Sequence, residues 1–65
     1  MSNKQIESSI KAERVRRGLT QVQVAEKLHM SKNAYSLKEN GIRKFNLNEF
    51  RTLLEIFQCE PQELL

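Results

Sequence analysis

Residues 20–41, TQVQVAEKLHMSKNAYSLKENG, leave this chain little choice of local structure. Thr20 followed three residues later by Gln23 forms a capping box: the threonine oxygen accepts from the Gln23 backbone N–H, and the Gln23 side chain reaches back to the Thr20 amide. Val24, Ala25 and Leu28 then make the buried stripe of a short helix that ends near Leu28. His29-Met30 is a turn, and Ser31 is the next N-cap. A second short helix runs from about Lys32 to Glu39 and stops at Asn40-Gly41. Ala34 and Leu37 share one of its faces, and Tyr35 and Lys38 share another. Helices joined this tightly cross closely. The crossing asks for a small residue at Ala25 and for apolar residues at Val24, Leu28, Met30 and Tyr35 to seat the second helix.

The flanking segments are helical too. Ile6, Ile10, Arg14 and Arg17 fall at spacings of four and three, one face of a helix expected over Asn3–Arg17, and Gly18 supplies the positive φ that ends it. Asn46 followed by Glu49 is another cap signal, with Phe45 and Phe50 placed as a hydrophobic staple. Leu47, Phe50, Leu53, Leu54 and Phe57 give the next helix a broad apolar face, and Ile56 lies off that stripe. Pro61 suits the first turn of a last short helix that buries Leu64. No stretch alternates as a half-buried strand does. The expectation is an all-α, compact five-helix domain spanning residues 1–65 as one unit.

Charge narrows the function classes. The chain has 65 residues and a net charge of +3. Within residues 11–44, Lys11, Arg14, Arg16, Arg17, Lys27, Lys32, Lys38, Arg43 and Lys44 face Glu13, Glu26 and Glu39, an excess of +6. Within residues 45–65, Arg51 faces Glu49, Glu55, Glu60 and Glu63, a balance of −3. A basic end of this kind suits nucleic acid. Cys59 has no second cysteine to pair with, and with the lone His29 it cannot complete a four-ligand zinc site. It fits a core position in a reducing cytoplasm. There is no phosphate-cradling glycine loop, no nucleophile paired with a base and no metal cluster, so no enzyme and no cofactor is expected. Glu7, Glu13, Glu26, Glu49 and Glu55 read as solvated charges. No apolar run is long enough for a membrane span, which points to a cytoplasmic protein.

Arg14, Gly18-Leu19, Gln21, Val24-Ala25, Leu28, Ser31, Glu39-Asn40-Gly41 and the Leu-rich segment ending at Glu63-Leu64-Leu65 together resemble the Cro/C1-type (XRE) helix-turn-helix family, most of all the DNA-binding domains of lambdoid phage repressors. The likeness runs from about Ile6 to Leu65. It implies that Gln21 bonds a phosphate and braces the base readers, and that Arg14 and Glu39 form an ion pair between the first helix and the end of the third. Three positions depart from the family pattern. His29 stands where glycine is usual, Lys38 where a large apolar residue is common, and Phe45 where proline is common. Lys38 either buries its stem with its ammonium in water or yields its core place to Leu37.

The resemblance implies a transcriptional regulator of double-stranded DNA, a repressor acting as a two-fold homodimer on a palindromic operator. Lys32, Asn33 and Ser36 would read bases, with Leu37 available to a thymine methyl. Gln21, Ser31, Asn40, Arg43 and Lys44 would hold phosphates. Ile56, Pro61 and Leu65 remain for a contact between copies. No small-molecule substrate is evident. A restriction-modification controller, an antitoxin, the first domain of a longer repressor and a protein-interaction module share this fold. The polar readers and basic flanks argue against the protein-interaction module.

Overall fold

The computed structural model describes the backbone of residues 3–64 and the side chains of 9–62 and 64. The chain runs α1 (Asn3–Arg16), α2 (Gln21–Lys27), α3 (Lys32–Glu39), α4 (Leu47–Phe57) and a single closing turn, α5 (Pro61–Leu64). Among the described residues there is no strand. The expected places of the Ile6 side chain and of Leu65 lie outside the described residues.

The starts of α2, α3 and α4 are each fixed by a side chain. Thr20 and Gln23 make the reciprocal capping box, at 3.1 Å and 2.8 Å. Ser31 Oγ accepts from the Ala34 amide at 3.1 Å. Asn46 and Glu49 repeat the box at α4, at 2.8 Å and 2.9 Å.

Each of the first four helices ends in the same way. The amide two residues beyond the last turn bonds back over the terminus, and the residue between takes left-handed φ. The bonds are Leu19 to Arg14 O, Met30 to Ala25 O, Ile42 to Leu37 O and Cys59 to Leu54 O, between 2.9 and 3.2 Å. The left-handed residues are Gly18 (φ 70°), His29 (58°), Gly41 (83°) and Gln58 (51°). Glycine takes that conformation freely, while His29 and Gln58 carry a Cβ there at some strain.

The core draws on every helix: Ile10 from α1, Val24 and Ala25 from α2, Tyr35 from α3, Leu53 and Phe57 from α4, and Leu64 from α5. Leu28, Met30, Phe45 and Phe50 pack around it, so both staple residues contribute. The Phe45 ring lies 6.0 Å from that of Tyr35 at a tilt of 55°, tying the segment before α4 to α3.

Three expectations need correction. Leu47, assigned to the apolar face of α4, is the first residue of that helix and stands 65% exposed, one turn before Phe50 and two before Leu53, with which the helix reaches the core. Ile56, expected off the stripe, is half-buried against the core. Glu13 and Glu49 are not solvated charges: Glu13 is buried beside Arg16 and Arg17, and Glu49 is half-buried against Lys38.

Candidate functional site

α3 divides its polar side chains by direction. Tyr35, Lys38 and Glu39 turn inward. Lys32 and Asn33 are exposed, and Ser36 and Leu37 are half-buried on the outer side. The division follows from the helical period. Tyr35 and Glu39 are four apart and stack on the face that meets α1 and α2, while Lys32 and Ser36 are four apart on another. Asn40, at the end of the helix, is exposed and donates through Nδ2 to Ser36 Oγ at 3.3 Å.

The inward residues build a polar hub. The Glu39 carboxylate accepts from Arg14 Nε at 2.8 Å, Arg14 Nη2 at 3.1 Å, the Tyr35 hydroxyl at 2.5 Å and Gln21 Nε2 at 3.0 Å. Arg14 Nη1 also donates to Leu19 O at 2.9 Å, which fixes the connection between α1 and α2. One carboxylate thus joins α1, the first residue of α2 and the last residue of α3. Burial opposes its charge, but the bonds from Arg14, Tyr35 and Gln21 outweigh that cost and hold its carboxyl below the ordinary carboxylate value. The same pairing raises the Arg14 guanidinium against the opposing effect of burial. Burial, with the bond to Glu39, pushes the Tyr35 phenol far above its usual range.

Gln21 therefore spends an amide hydrogen on Glu39. It braces α3 through that carboxylate, and its second amide hydrogen remains for another acceptor. Lys38 does not read outward. Its ammonium donates to both oxygens of Glu49, at 2.7 and 2.6 Å, so the first turn of α4 neutralises it. Burial works against the Glu49 charge, yet Lys38 and the Asn46 amide hold its carboxyl below the ordinary value. The alternative in which Leu37 takes the core place is not what is found, since Leu37 is half-buried outside the core cluster.

The segment from α3 to α4 leaves Ile42, Arg43 and Lys44 exposed. The amides of Ile42 and Arg43 both bond Leu37 O, at 2.9 and 3.2 Å, which anchors this basic segment to the end of α3. Lys32, Asn33, Ser36, Leu37, Asn40, Arg43 and Lys44 thus follow one another along α3 and its exit. Ser31 opens the same helix, its oxygen committed to the cap. Gln21 stands at the start of α2, tied to α3 through Glu39. Pro61 is exposed at the far end of the chain, on α5.

Several contacts escaped the sequence reading, among them Gln21 to Glu39, Glu13 with Arg16 and Arg17, and two within or beyond α3. The Tyr35–Glu39 bond had a signal, a polar tip on an inward aromatic four residues before a buried carboxylate. The Lys38–Glu49 pair had none, because nothing in the sequence says that α4 begins beside the end of α3. Among the described residues, no group of three His, Cys, Asp or Glu side chains is placed to hold a metal ion, and no helix is long and apolar enough to cross a membrane.

A helix-turn-helix family model matches residues 10–64, from the middle of α1 to the end of α5. No curated protein and no solved structure matches the chain.

Proposed function

The chain belongs to the Cro/C1-type helix-turn-helix family, whose members are DNA-binding regulatory domains, and from that premise we propose that it is a sequence-specific regulator of double-stranded DNA, a cytoplasmic repressor that binds a palindromic operator as a two-fold dimer. The observation that carries this reading is the division of α3. Its inward polar groups are consumed by Arg14, Gln21 and Glu49. Its outward stripe is polar, partly cationic and open to a ligand. An α-helix with such a stripe fits the major groove.

In this reading Lys32, Asn33 and Ser36 contact base edges and Leu37 meets a thymine methyl. Lysine suits the two acceptors of guanine, and asparagine suits adenine. Gln21 (through its remaining amide hydrogen), Ser31, Asn40, Arg43 and Lys44 hold phosphates. Arg43 and Lys44 suit that role because they are exposed on a backbone-anchored segment. The acidic balance of residues 45–65 keeps the α4–α5 end away from the phosphates, and a second copy docks there through Ile56, Pro61 and Leu65. Residues 1–65 act as one domain, and the turn Pro61–Leu64 is the fifth helix of the family architecture.

Selection from a random DNA pool at two salt concentrations tests the proposal. Enrichment of a palindrome with half-sites about one helical turn apart is the expected result. Weak binding that fades with salt and enriches no motif would remove sequence-specific readout and leave only attraction to phosphates.

A further inference from the structure

The outward face of α3 holds two hydroxyls whose oxygens are already engaged. Ser31 Oγ accepts from the Ala34 amide at 3.1 Å, and Ser36 Oγ accepts from the Asn40 side-chain amide at 3.3 Å. A serine or threonine inside a helix often turns its hydrogen back onto the carbonyl four residues earlier. Thr52 does this, donating to Asn48 O at 3.0 Å. Ser36 is held differently, by a donor from one turn ahead. The sense of that bond follows from position. Asn40 caps the C-terminal end of α3, where the last carbonyls make the local potential negative and draw the amide N–H group toward the helix. A hydroxyl oxygen that takes a hydrogen from an amide presents its own hydrogen elsewhere. Lys32, one turn earlier on the same face, offers donors alone.

We propose that Asn40 is a positioning residue for base readout: by donating to Ser36 Oγ it commits the Ser36 hydroxyl to give its hydrogen to an acceptor on a base edge. The base edge facing Ser36 is then selected for an acceptor, purine N7, guanine O6 or thymine O4, and against the amino groups of cytosine and adenine. This inference rests on the reading of α3 as the helix that enters the groove. It adds the polarity of one contact, and it gives Asn40 a role beyond a phosphate ligand.

The test repeats the random-pool selection with the wild-type chain, Asn40→Ala and Asn40→Asp. Circular dichroism confirms that each variant is folded. An aspartate at this position only accepts, so the Ser36 hydroxyl turns to donate to it and leaves its lone pairs facing the DNA. Asn40→Ala is expected to weaken the preference at one base pair by about threefold to tenfold, the worth of one ordinary hydrogen bond. Asn40→Asp is expected to reverse that preference toward an amino group. Where the selected acceptor is a purine N7, the 7-deaza base is expected to cost the wild type affinity and to cost Asn40→Asp none; where it is guanine O6, 2-aminopurine, which lacks that oxygen, is expected to do the same. A uniform loss of affinity with every base preference retained would overturn the role of Asn40 and leave the DNA-reading assignment intact. A wild-type chain that selects no motif would overturn both, and that arm is read without any variant.

Discussion

Arg14 and Glu39 stand 25 positions apart and meet through two parallel bonds, Nε to Oε2 at 2.8 Å and Nη2 to Oε1 at 3.1 Å. The Arg14 side chain is 12% exposed and that of Glu39 is fully buried. Removing one partner strands the other as a desolvated charge, which costs about 3 kcal/mol or more. A domain of this size holds only a few kcal/mol in all. Arg14→Ala should therefore lose most of its cooperative urea transition, followed by circular dichroism. A variant that unfolds at the wild-type midpoint would show that water already screens the pair.

The carboxylates of Glu39 and Glu49 make acid stability a second observable. Burial works against each, but their hydrogen bonds prevail and both sit below their ordinary value of 4.5 in the folded chain. A depressed folded value means that the folded state favours the ionised form. The stabilisation is present above the unfolded value and disappears as pH falls through the folded one. Stability should be insensitive to these groups near neutral pH and decline below about pH 4.5. Glu49→Gln, which keeps a side-chain acceptor for the α4 cap, should flatten that decline. An unchanged acid slope in Glu49→Gln would count against the Lys38 contact.

The local structure of the chain was far more legible than its internal contacts. The capping signals at Thr20, Ser31 and Asn46 were readable because each depends on residues within one turn. The same holds for the stop at Gly18, whereas His29 stood out in the turn only against the glycine usual in the family it resembles. Burial of Glu13 and Glu49 was not readable, because a glutamate on a helix looks the same whether or not another element covers it. Gln58 as a left-handed residue was missed because glutamine gives no local signal for that conformation. The outward stripe of Lys32, Asn33 and Ser36 was legible from helical period alone. The inward turn of Lys38 depends on where α4 lies in space.

Tyr35 is the sole tyrosine, so its titration can be watched without interference. Burial, then the bond to Glu39, places its folded pKa well above the ordinary 10.0. A raised folded value stabilises the fold fully below the unfolded pKa and is lost as pH climbs through the folded one. The phenolate absorbance should therefore stay flat through pH 10 and rise together with unfolding. Smooth ionisation near pH 10 in a chain that remains helical would contradict a buried hydroxyl bonded to Glu39.

His29 and Gln58 hold φ of 58° and 51° at positions where glycine would be unstrained. His29→Gly and Gln58→Gly should each stabilise the domain by about 0.5–1 kcal/mol, the left-handed penalty less the extra entropy of glycine in the unfolded chain. Thermal melts should rise by several degrees for each, about 4–8 °C per kcal/mol in a domain of this length. The sites lie on separate turns, so the double variant should show the sum. A drop in melting temperature for His29→Gly would mean that the imidazole makes a compensating contact.

Lys32 and Lys38 are the two lysines of α3, and the structure sends them in opposite directions. Lys32 is exposed on the outer face, while Lys38 gives its charge to Glu49. In selection experiments Lys32→Ala should relax the preference at one base pair by about 1–3 kcal/mol, and a uniform loss over all sequences would make this lysine a phosphate ligand instead. Lys38→Met should leave both the selected motif and the salt dependence of binding unchanged. It should instead shift stability, because Glu49 keeps its cap but loses its cation. Pairing Lys38→Met with Glu49→Gln should recover most of that loss, since removing both charges leaves neither half-buried and unpaired. A changed motif in Lys38→Met would place that ammonium on the DNA and require α3 to sit rotated from its present seat on α4.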